Sequence, residues 1–512
     1  MLLTTPGGAS FTATLADEEA TQRFMIDIAA ALEPGDLVTL SGDLGAGKTT
    51  FARALIRYLA GDDTIEVPSP TFTLMQSYEL PRFALVHADL YRLSGAAELA
   101  ELGFDDLPDA TVVVMEWPDR AAGFLPPDRL DVAFTLVPAL GPDVRNVRCV
   151  GYGSFAPRVD RIADIRTFLD ESGFGEARRV RMQGDASTRI FERLTQNDRT
   201  FILMNAPRRP DGPAVRDGKP YSAIAHLAED IVPYVALAAG LRDLGLSAPE
   251  ILHGDLDSGL IVMEDFGDEH LVSGDPPAPV ETRYTAAVDL LAVLHAQELP
   301  DVLPVTPQFD YWLPPYDMEA FLIEAELLLD WYLVSAGAEA AGPARNGFVR
   351  HWREALLPVI AEPATWVLRD YHSPNLMWLT ERDDIARIGL LDFQDALVGP
   401  AAYDVASLLQ DARVDVPEAM EMALLGRYVR TRLSSDPEFD TAGFTRNYAT
   451  LAAQRATKIL GIFARLDRRD GKPQYLRHMP RLWDYLQRSL RHPALSSLKA
   501  WYATNVPAPD GL

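Results

Sequence analysis

The glycine-rich stretch at residues 42–50 constrains this 512-residue chain more than any other feature. It reads Gly42-Asp43-Leu44-Gly45-Ala46-Gly47-Lys48-Thr49-Thr50, after a short apolar run at 36–41 and before a helical pattern at 49–60. This is the G-x-x-x-x-G-K-[ST] phosphate-binding pattern (P-loop), in which glycines turn successive backbone N–H groups toward one anion. The helix that follows adds its positive N-terminal end. We therefore expect an α/β domain in which residues 42–50 bind ATP or GTP, Lys48 contacts the β- and γ-phosphates and Thr49 binds Mg²⁺.

Two carboxylates are candidates for the remaining chemistry of this site. Asp89 follows the apolar run at 83–87, and Glu116 ends the run at 111–115. Both runs suit buried parallel strands, and strand alternates with helix across about 150 residues, which is typical of a three-layer α/β domain. We expect one carboxylate to hold the metal through water and the other to orient the attacking water. The sequence does not assign the two roles.

Composition excludes several classes of protein. The single cysteine, Cys149, excludes a disulfide scaffold and a cysteine-rich zinc site. The net charge of −27, from 47 basic and 74 acidic residues, argues against a direct grip on nucleic acid. The sequence contains no run of 18 apolar residues and no signal-peptide pattern at its start. We therefore expect a cytoplasmic protein without a membrane span.

The chain divides most naturally near residue 155. The stretch at 138–160 mixes Pro, Gly, Asn and Asp, and it follows the apolar run at 130–137, which is taken as the last strand of the first domain. An amphipathic pattern at 160–170 then predicts a helix that opens a new unit. The expected domains are 1–155 and 156–512.

The motifs of the first domain resemble one family in order and spacing. The glycine-rich loop is followed by Ser69-Pro70-Thr71-Phe72, His87-Ala88-Asp89-Leu90-Tyr91-Arg92, Glu101-Leu102-Gly103 and Glu116-Trp117-Pro118. Over about residues 10–140 this resembles the TsaE family, the ATPase subunit of bacterial tRNA threonylcarbamoyladenosine synthesis. The resemblance implies hydrolysis of ATP and docking on a TsaB/TsaD-like threonylcarbamoyl-transferase complex. It also implies that Asp89 and Glu116 serve metal and water, that Thr71 lies in a nucleotide-sensing loop and that Trp117 lies near the nucleotide.

A second catalytic pattern lies near residue 380. An apolar run at 366–368 leads to Asp370, Asn375 stands five residues further on, and a second run at 388–391 leads to Asp392-Phe393-Gln394. This D-x4-N and D-F-x arrangement is the catalytic skeleton of the protein-kinase-like fold. It predicts Asp370 as the base for the attacking hydroxyl, with Asn375 and Asp392 holding Mg²⁺ against ATP.

Two earlier segments imitate these motifs. His253-Gly254-Asp255 lacks an asparagine five residues on and is interpreted as a hairpin end. Asp265-Phe266-Gly267 lies upstream of the catalytic loop, so it suits the linker between kinase lobes, where Glu264 and Phe266 would contact ATP. Ser187 and Thr188, in the turn at 183–189, would cover the phosphates. The strand at 201–204, where a kinase normally places its ATP-contacting lysine, has none. Either Arg189, Arg193 or Lys219 substitutes for it, or the domain is a weak kinase.

The second half resembles the aminoglycoside-phosphotransferase superfamily over about residues 160–505. The segments GDASTRIFERL, FILMNAP, VMEDFGD, LRDYHSPNLMWL and LLDFQDALVGPAAYDVASLLQD are most similar to the AmgK family of anomeric sugar kinases. The resemblance implies a two-lobed α+β fold, with an N-lobe at about 160–268 and a C-lobe at about 269–512. It also implies phosphorylation of N-acetylmuramate or N-acetylglucosamine, small amino sugars, at the anomeric hydroxyl during cell-wall recycling.

Three other interpretations are consistent with the sequence. In the first, the second half is an aminoglycoside or small-alcohol phosphotransferase. In the second, it is a pseudokinase that regulates the ATPase. In the third, the first half is a nucleotide-gated adaptor whose hydrolysis is incidental.

Overall fold

The computed structural model describes residues 8–93, 98, 102–121, 123–182, 189–210 and 212–509. The chain forms two compact units, Met1–Asn205 and Ala206–Leu512, which are described separately. Among the described residues, no helix is both long enough and apolar enough to cross a bilayer.

The first unit is built on a seven-stranded mixed sheet with the order β1-β7-β6-β2-β5-β4-β3. Its strands are β1 (Ala9–Leu15), β2 (Leu37–Gly42), β3 (Met75–Glu79), β4 (Ala84–Asp89), β5 (Val112–Glu116), β6 (Arg129–Leu136) and β7 (Arg145–Tyr152). Strands β4, β5, β2 and β6 run parallel, so that their carboxyl ends meet at one edge. The predicted α/β fold of this half is confirmed.

Helices α1 (Glu18–Ala31) and α2 (Lys48–Ala60) bury their apolar faces against this sheet. Phe24, Phe51 and Phe134 meet there, with ring centroids 5.4 to 6.5 Å apart. Such tilted and edge-on contacts between aromatic rings are favourable in addition to the apolar area that they bury. The core therefore fixes α2, and with it the loop that precedes α2, on the sheet.

The prediction that the apolar run at 130–137 is the last strand of the first domain is wrong, because strand β7 follows it in the same sheet. Strand β7 pairs with both β1 and β6. The strand is half-buried, with Val147 and Cys149 inward, and it lies in a stretch whose Pro, Gly, Asn and Asp residues favour a boundary in the sequence. Helix α3 (Ala156–Glu171) follows and packs on β1, β7 and α1 rather than opening a separate body. The functional boundary at 155/156 stays a prediction.

The first unit continues with an antiparallel ladder formed by β8 (Arg178–Arg181), β9 (Ile190–Gln196) and β10 (Arg199–Asn205). A buried ion-pair cluster joins this ladder to α1. Arg179 of β8 donates to Asp27 of α1, and its Nε and Nη2 donate to the carboxylate of Glu192 at 2.7 and 3.1 Å. Arg166 of α3 donates to the second oxygen of Asp27 at 2.8 Å. Because these carboxylates are almost fully buried, their charges depend on these arginines.

The second unit contains short antiparallel strand pairs among helices. The strands are β11 (Ala214–Arg216), β12 (Lys219–Pro220), β13 (Ile251–Asp255), β14 (Leu260–Glu264), β15 (Val272–Ser273), β16 (Ala278–Pro279), β17 (Val302–Thr306), β18 (Phe309–Trp312), β19 (Ala364–Val367), β20 (Leu376–Trp378), β21 (Ile388–Leu390) and β22 (Leu397–Pro400). The pairs are β11–β12, β13–β14, β15–β16, β17–β18, β19–β22 and β20–β21.

The helices of at least eight residues in this unit are α4 (Val232–Asp243), α5 (Glu281–Leu294), α6 (Met318–Ala325), α7 (Gly342–Ile360), α8 (Ala402–Leu409), α9 (Glu418–Ser435), α10 (Thr441–Asp470), α11 (Met479–Ser489) and α12 (Ser496–Asn505). The 30-residue helix α10 is central and packs against α6, α7, α8 and α11. The predicted α+β character of this half is confirmed.

The buried cluster around Asp27 gives a stability prediction. Asp27→Ala would leave Arg179 and Arg166 without one of their carboxylates, so we expect the free energy of unfolding of the first unit to fall by about 3–5 kcal/mol. Urea denaturation of the full chain, followed by tryptophan fluorescence, measures it. The control is Glu176→Ala, because Glu176 pairs with Arg23 at the surface, where its side chain is 80% exposed. Equal midpoints for the two variants would contradict the prediction.

Candidate active sites

The glycine-rich loop has the backbone that the sequence predicts. Gly42 ends β2 with φ +135°, and a Cβ there would lie 2.4 Å from the carbonyl oxygen of Phe134. Gly47 has φ +103° and precedes Lys48, the first residue of α2. Only glycine adopts these conformations without strain, so both positions require it. The loop from Gly42 to Gly47 therefore leads directly into the positive end of α2.

Lys48 lies within this loop. Its Nζ donates to the carbonyl oxygens of Gly42 and Asp43 at 2.8 and 2.9 Å, and it lies 3.7 Å from the ring centroid of Trp117. Burial lowers the pKa of Lys48, and the negative charges of Glu116, Asp89 and Asp43 partly offset this. Trp117 has φ +60°, which is uncommon for a residue with a side chain and places its ring on the lysine.

Glu116 and Asp89 lie side by side at the carboxyl edge of the sheet. They are direct partners in the β4–β5 register, and Glu116 is also opposite Leu40 of β2. Thr49 Oγ1 donates to Glu116 Oε2 at 2.8 Å. Asp89 instead accepts from the hydroxyls of Ser69 and Thr71, at 3.3 and 3.2 Å. The three predicted metal ligands, Thr49, Asp89 and Glu116, are thus together at the loop.

Two residues at this site were given no role by the sequence. His87 is fully buried, and its Nε2 lies 2.9 Å from Glu116 Oε1. Arg145, at the start of β7, donates from Nε to the carbonyl oxygen of Ala46 at 2.9 Å. The alternation of polar and apolar residues at 145–152 was the available signal for Arg145, because it predicts a strand.

The predicted kinase residues also converge. Asn375 directly precedes β20 and Asp392 follows β21, and these two strands pair, so both side chains lie at one end of a hairpin. Asn375 Nδ2 donates to the backbone oxygen of Asp370 at 3.0 Å. Gln394 donates to Asp392 Oδ1 at 3.0 Å. Asp392 has φ +56°, a strained conformation of the kind concentrated at functional sites.

Asp404 of α8 holds the backbone that leads to Asp370. Its two carboxylate oxygens accept from the N–H groups of Leu368 and Arg369 at 2.6 and 2.9 Å. Burial raises the pKa of Asp404 to about 7, against the lowering effect of these two hydrogen bonds. Arg369 has φ +67°, so its backbone is held in a conformation that it would not adopt freely.

Positive charge surrounds Asp370. Burial raises its pKa, but the neighbouring groups Lys458, His372, Arg455 and Arg369 outweigh this effect and lower the pKa below its usual range. Asp370 is therefore ionised near neutral pH and able to accept a proton. A fully buried carboxylate, Glu324, binds two of the cations, Arg369 and Lys458, the latter at 2.6 Å.

Of the other predicted residues, the structure describes Glu264 and Phe266. Glu264 ends β14 and accepts from the backbone N–H of Glu250 at 3.2 Å. Phe266 lies against Gly389, where a Cβ would come within 2.7 Å of its ring. Ser187 and Thr188 lie outside the described residues. The interpretation of His253–Asp255 as a hairpin end is confirmed by the pairing of β13 with β14.

The donor sets suit Mg²⁺ bound together with ATP phosphates. Within the described parts of the chain, no three His, Cys, Asp or Glu side chains form a ready-made metal cluster. Mg²⁺ is usually held by one or two carboxylates plus phosphate oxygens and water, so such a cluster is not required. Thr49 with Glu116 and Asp89, and Asn375 with Asp392, supply oxygen ligands of this type.

Comparisons with known proteins match both halves. Residues 15–138 match the model of the threonylcarbamoyl adenosine biosynthesis protein TsaE, and residues 179–446 match that of the phosphotransferase enzyme family. An N-acetylmuramate/N-acetylglucosamine kinase of Caulobacter vibrioides is 40% identical over 68% of this chain and 97% of its own length. A protein of the same name from Pseudomonas aeruginosa is 32% identical over 64% of this chain and 89% of its own.

The first half has equally clear relatives. A tRNA threonylcarbamoyladenosine biosynthesis protein TsaE of Rickettsia bellii is 40% identical over 24% of this chain and 85% of its own length. The chain therefore combines an ATPase half with an ATP-dependent phosphotransferase half. It belongs to the TsaE family through its first half and to the phosphotransferase enzyme family through its second.

Proposed function

We propose that the chain is bifunctional. Residues 1–155 hydrolyse ATP in support of threonylcarbamoyladenosine modification of tRNA, and residues 156–512 phosphorylate N-acetylmuramate and N-acetylglucosamine at the anomeric hydroxyl. The observation that carries the sugar-kinase half is the convergence of Asp370, Asn375 and Asp392 in a chain 40% identical to such a kinase. Phosphorylation at this hydroxyl would return cell-wall amino sugars to metabolism.

In the kinase half, Asp370 acts as the general base. Its lowered pKa keeps the carboxylate ionised, so it accepts the hydroxyl proton as the new sugar O–P bond forms. The bond from the γ-phosphorus to the bridging oxygen of ADP breaks in the same transfer. Asn375 and Asp392 would hold Mg²⁺, which neutralises phosphate charge when bound. Glu264, Phe266, Ser187 and Thr188 remain proposed ATP contacts.

In the ATPase half, the hydrogen bonds favour different roles for the two carboxylates. Glu116 is bonded to Thr49, the predicted magnesium ligand of the loop, so we assign it to the metal. Asp89 is bonded to Ser69 and Thr71 and is assigned to orient the attacking water. Residues 42–50 would cradle the phosphates, and Lys48 would leave its carbonyl partners to contact them.

The proposal implies protein partners for the first half. TsaB/TsaD-like proteins of the threonylcarbamoyl-transferase complex would dock on it, in the cytoplasm, where ATP is available. The chain itself does not need to bind tRNA, and its net charge of −27 disfavours such binding.

The identity of the phosphoryl acceptor is tested with the full chain. We expect sugar phosphate to form from N-acetylmuramate and N-acetylglucosamine, and no product from aminoglycosides or choline, measured by phosphorus NMR. Asp370→Asn removes the base and should lower the rate by about 10²–10⁴-fold. ATP hydrolysis by the first half should be unchanged in this variant. Phosphorylation of only the aminoglycosides or choline would replace this proposal with the alternative phosphotransferase function.

The P-loop mechanism is tested with Lys48→Ala. Without the lysine, no ammonium group stabilises the negative charge that develops on the phosphate oxygens. We therefore expect ATP hydrolysis, measured without sugar, to fall by at least about 100-fold. The variant should also fail to rescue a strain that lacks its TsaE protein. Lys499→Ala is the control, because Lys499 is an exposed residue of the second unit. Normal rescue by Lys48→Ala would contradict the mechanism.

The charge that holds Asp370 ionised gives a pH prediction. Removing the ammonium group with Lys458→Met raises the pKa of Asp370, so the base is protonated at a higher pH. The acid limb of the kcat/KM profile for sugar phosphorylation should therefore move to higher pH. Lys458→Arg keeps the charge and should leave the limb in place. A uniform loss of rate without a shift of the limb would assign Lys458 a purely structural role.

A further inference from the structure

Helix α10 carries three buried polar side chains within about one turn, Gln454, Arg455 and Lys458. Gln454 and Lys458 both bind Glu324, at 3.2 and 2.6 Å. Glu324 in turn accepts from Arg369, the neighbour of Asp370 in the chain. Arg455 lies one turn before Lys458, and residues three apart on a helix lie on the same side. This places Arg455 beside the groups that support the catalytic loop.

Arg455 is buried without adequate partners. Only 5% of the residue is exposed, and its Nε and Nη1 have no hydrogen-bond partner among the described residues. Arg369 also has unpartnered nitrogens, but it forms an ion pair with Glu324. Buried N–H groups without hydrogen-bond partners are costly, so an anionic oxygen that accepts from them would stabilise this arrangement.

The position of Arg455 indicates which molecule supplies that anion. Its positive charge contributes to the lowered pKa of Asp370 and also acts on His372, so it lies close to the proposed base. The reactants that meet at Asp370 carry anionic oxygens. Phosphoryl transfer also needs positive charge against the phosphates, and the sequence has no lysine in the strand at 201–204.

We propose that Arg455 is an anion-binding residue of the kinase site, whose guanidinium binds anionic oxygens of a reactant beside Asp370. Two sources share this chemistry: the phosphoryl group in transfer, and a carboxylate on the acceptor. This inference rests on the proposed function. N-Acetylmuramate carries a carboxylate and N-acetylglucosamine does not, so the two sugars distinguish the sources.

The test compares full-chain Arg455→Met with the wild type on both sugars. Loss of a charge-assisted contact should lower kcat/KM by about 10- to 100-fold. A loss on both sugars assigns Arg455 to the phosphoryl group, and a loss on N-acetylmuramate alone assigns it to the carboxylate. Unchanged kcat/KM on both sugars would overturn the proposal.

Thermal unfolding separates binding from a structural role. Methionine replaces an unpaired buried charge with an apolar group of similar length, so the Tm should be unchanged or higher. A lower Tm with activity that follows the folded fraction would overturn the proposal. The matched control is Arg446→Met on the same helix, because Arg446 is paired with Glu362 at 3.1 Å; we expect it to retain kcat/KM.

A binding measurement keeps the inference separate from the proposed function. If the wild type phosphorylates neither sugar, the proposed function fails, but the anion site is still testable. In a Lys48→Ala background, which removes the P-loop lysine, inorganic phosphate should raise the Tm of the chain and should do so less after Arg455→Met. Equal stabilisation of both proteins would overturn the anion site.

Discussion

The buried carboxylate of Glu324 is the interaction on which the arrangement of the kinase half depends. It accepts from Tyr316, Gln454 and Lys458 as well as Arg369, and so links α6, α10 and the catalytic loop. Burial raises the pKa of Glu324, but the two cations outweigh this and lower it to about 2. Removing this charge would leave buried cations unpaired, which is strongly destabilising. The contact with Glu324 positions Arg369, the neighbour of Asp370 in the chain.

The ATPase half achieves its positioning with the backbone rather than with buried ions. Parallel pairing of β4, β5 and β2 places Asp89, Glu116 and the start of the glycine-rich loop at one edge. The glycines then determine the path of the loop, because Gly42 approaches the carbonyl of Phe134 more closely than any side chain would permit. The two halves therefore position their candidate catalytic residues by different physical means.

The first compact unit also contains segments that follow the TsaE-like region, since it extends to Asn205. Helix α3 and strand β8, which follow the TsaE-like region, pack on α1, and the Asp27–Arg179 pair is buried at that junction. Local patterns predicted the separate motifs here, but they did not predict β7 or this junction. The alternation in β7 lies in a stretch whose turn-forming residues favour a boundary, and ion pairs between residues about 150 positions apart leave no local signal.

The sequence by itself determined the two chemistries: the glycine pattern at 42–50 and the spacing of Asp370, Asn375 and Asp392 are local and depend on residue type and order. It also placed Asp89 and Glu116 at strand ends, since buried apolar runs are visible without coordinates. Only the tertiary structure brought His87 and Arg145 to the first site, and Asp404, Lys458 and Arg455 to the second. These side chains come from distant elements and act through charge and burial, and both depend on how the elements pack.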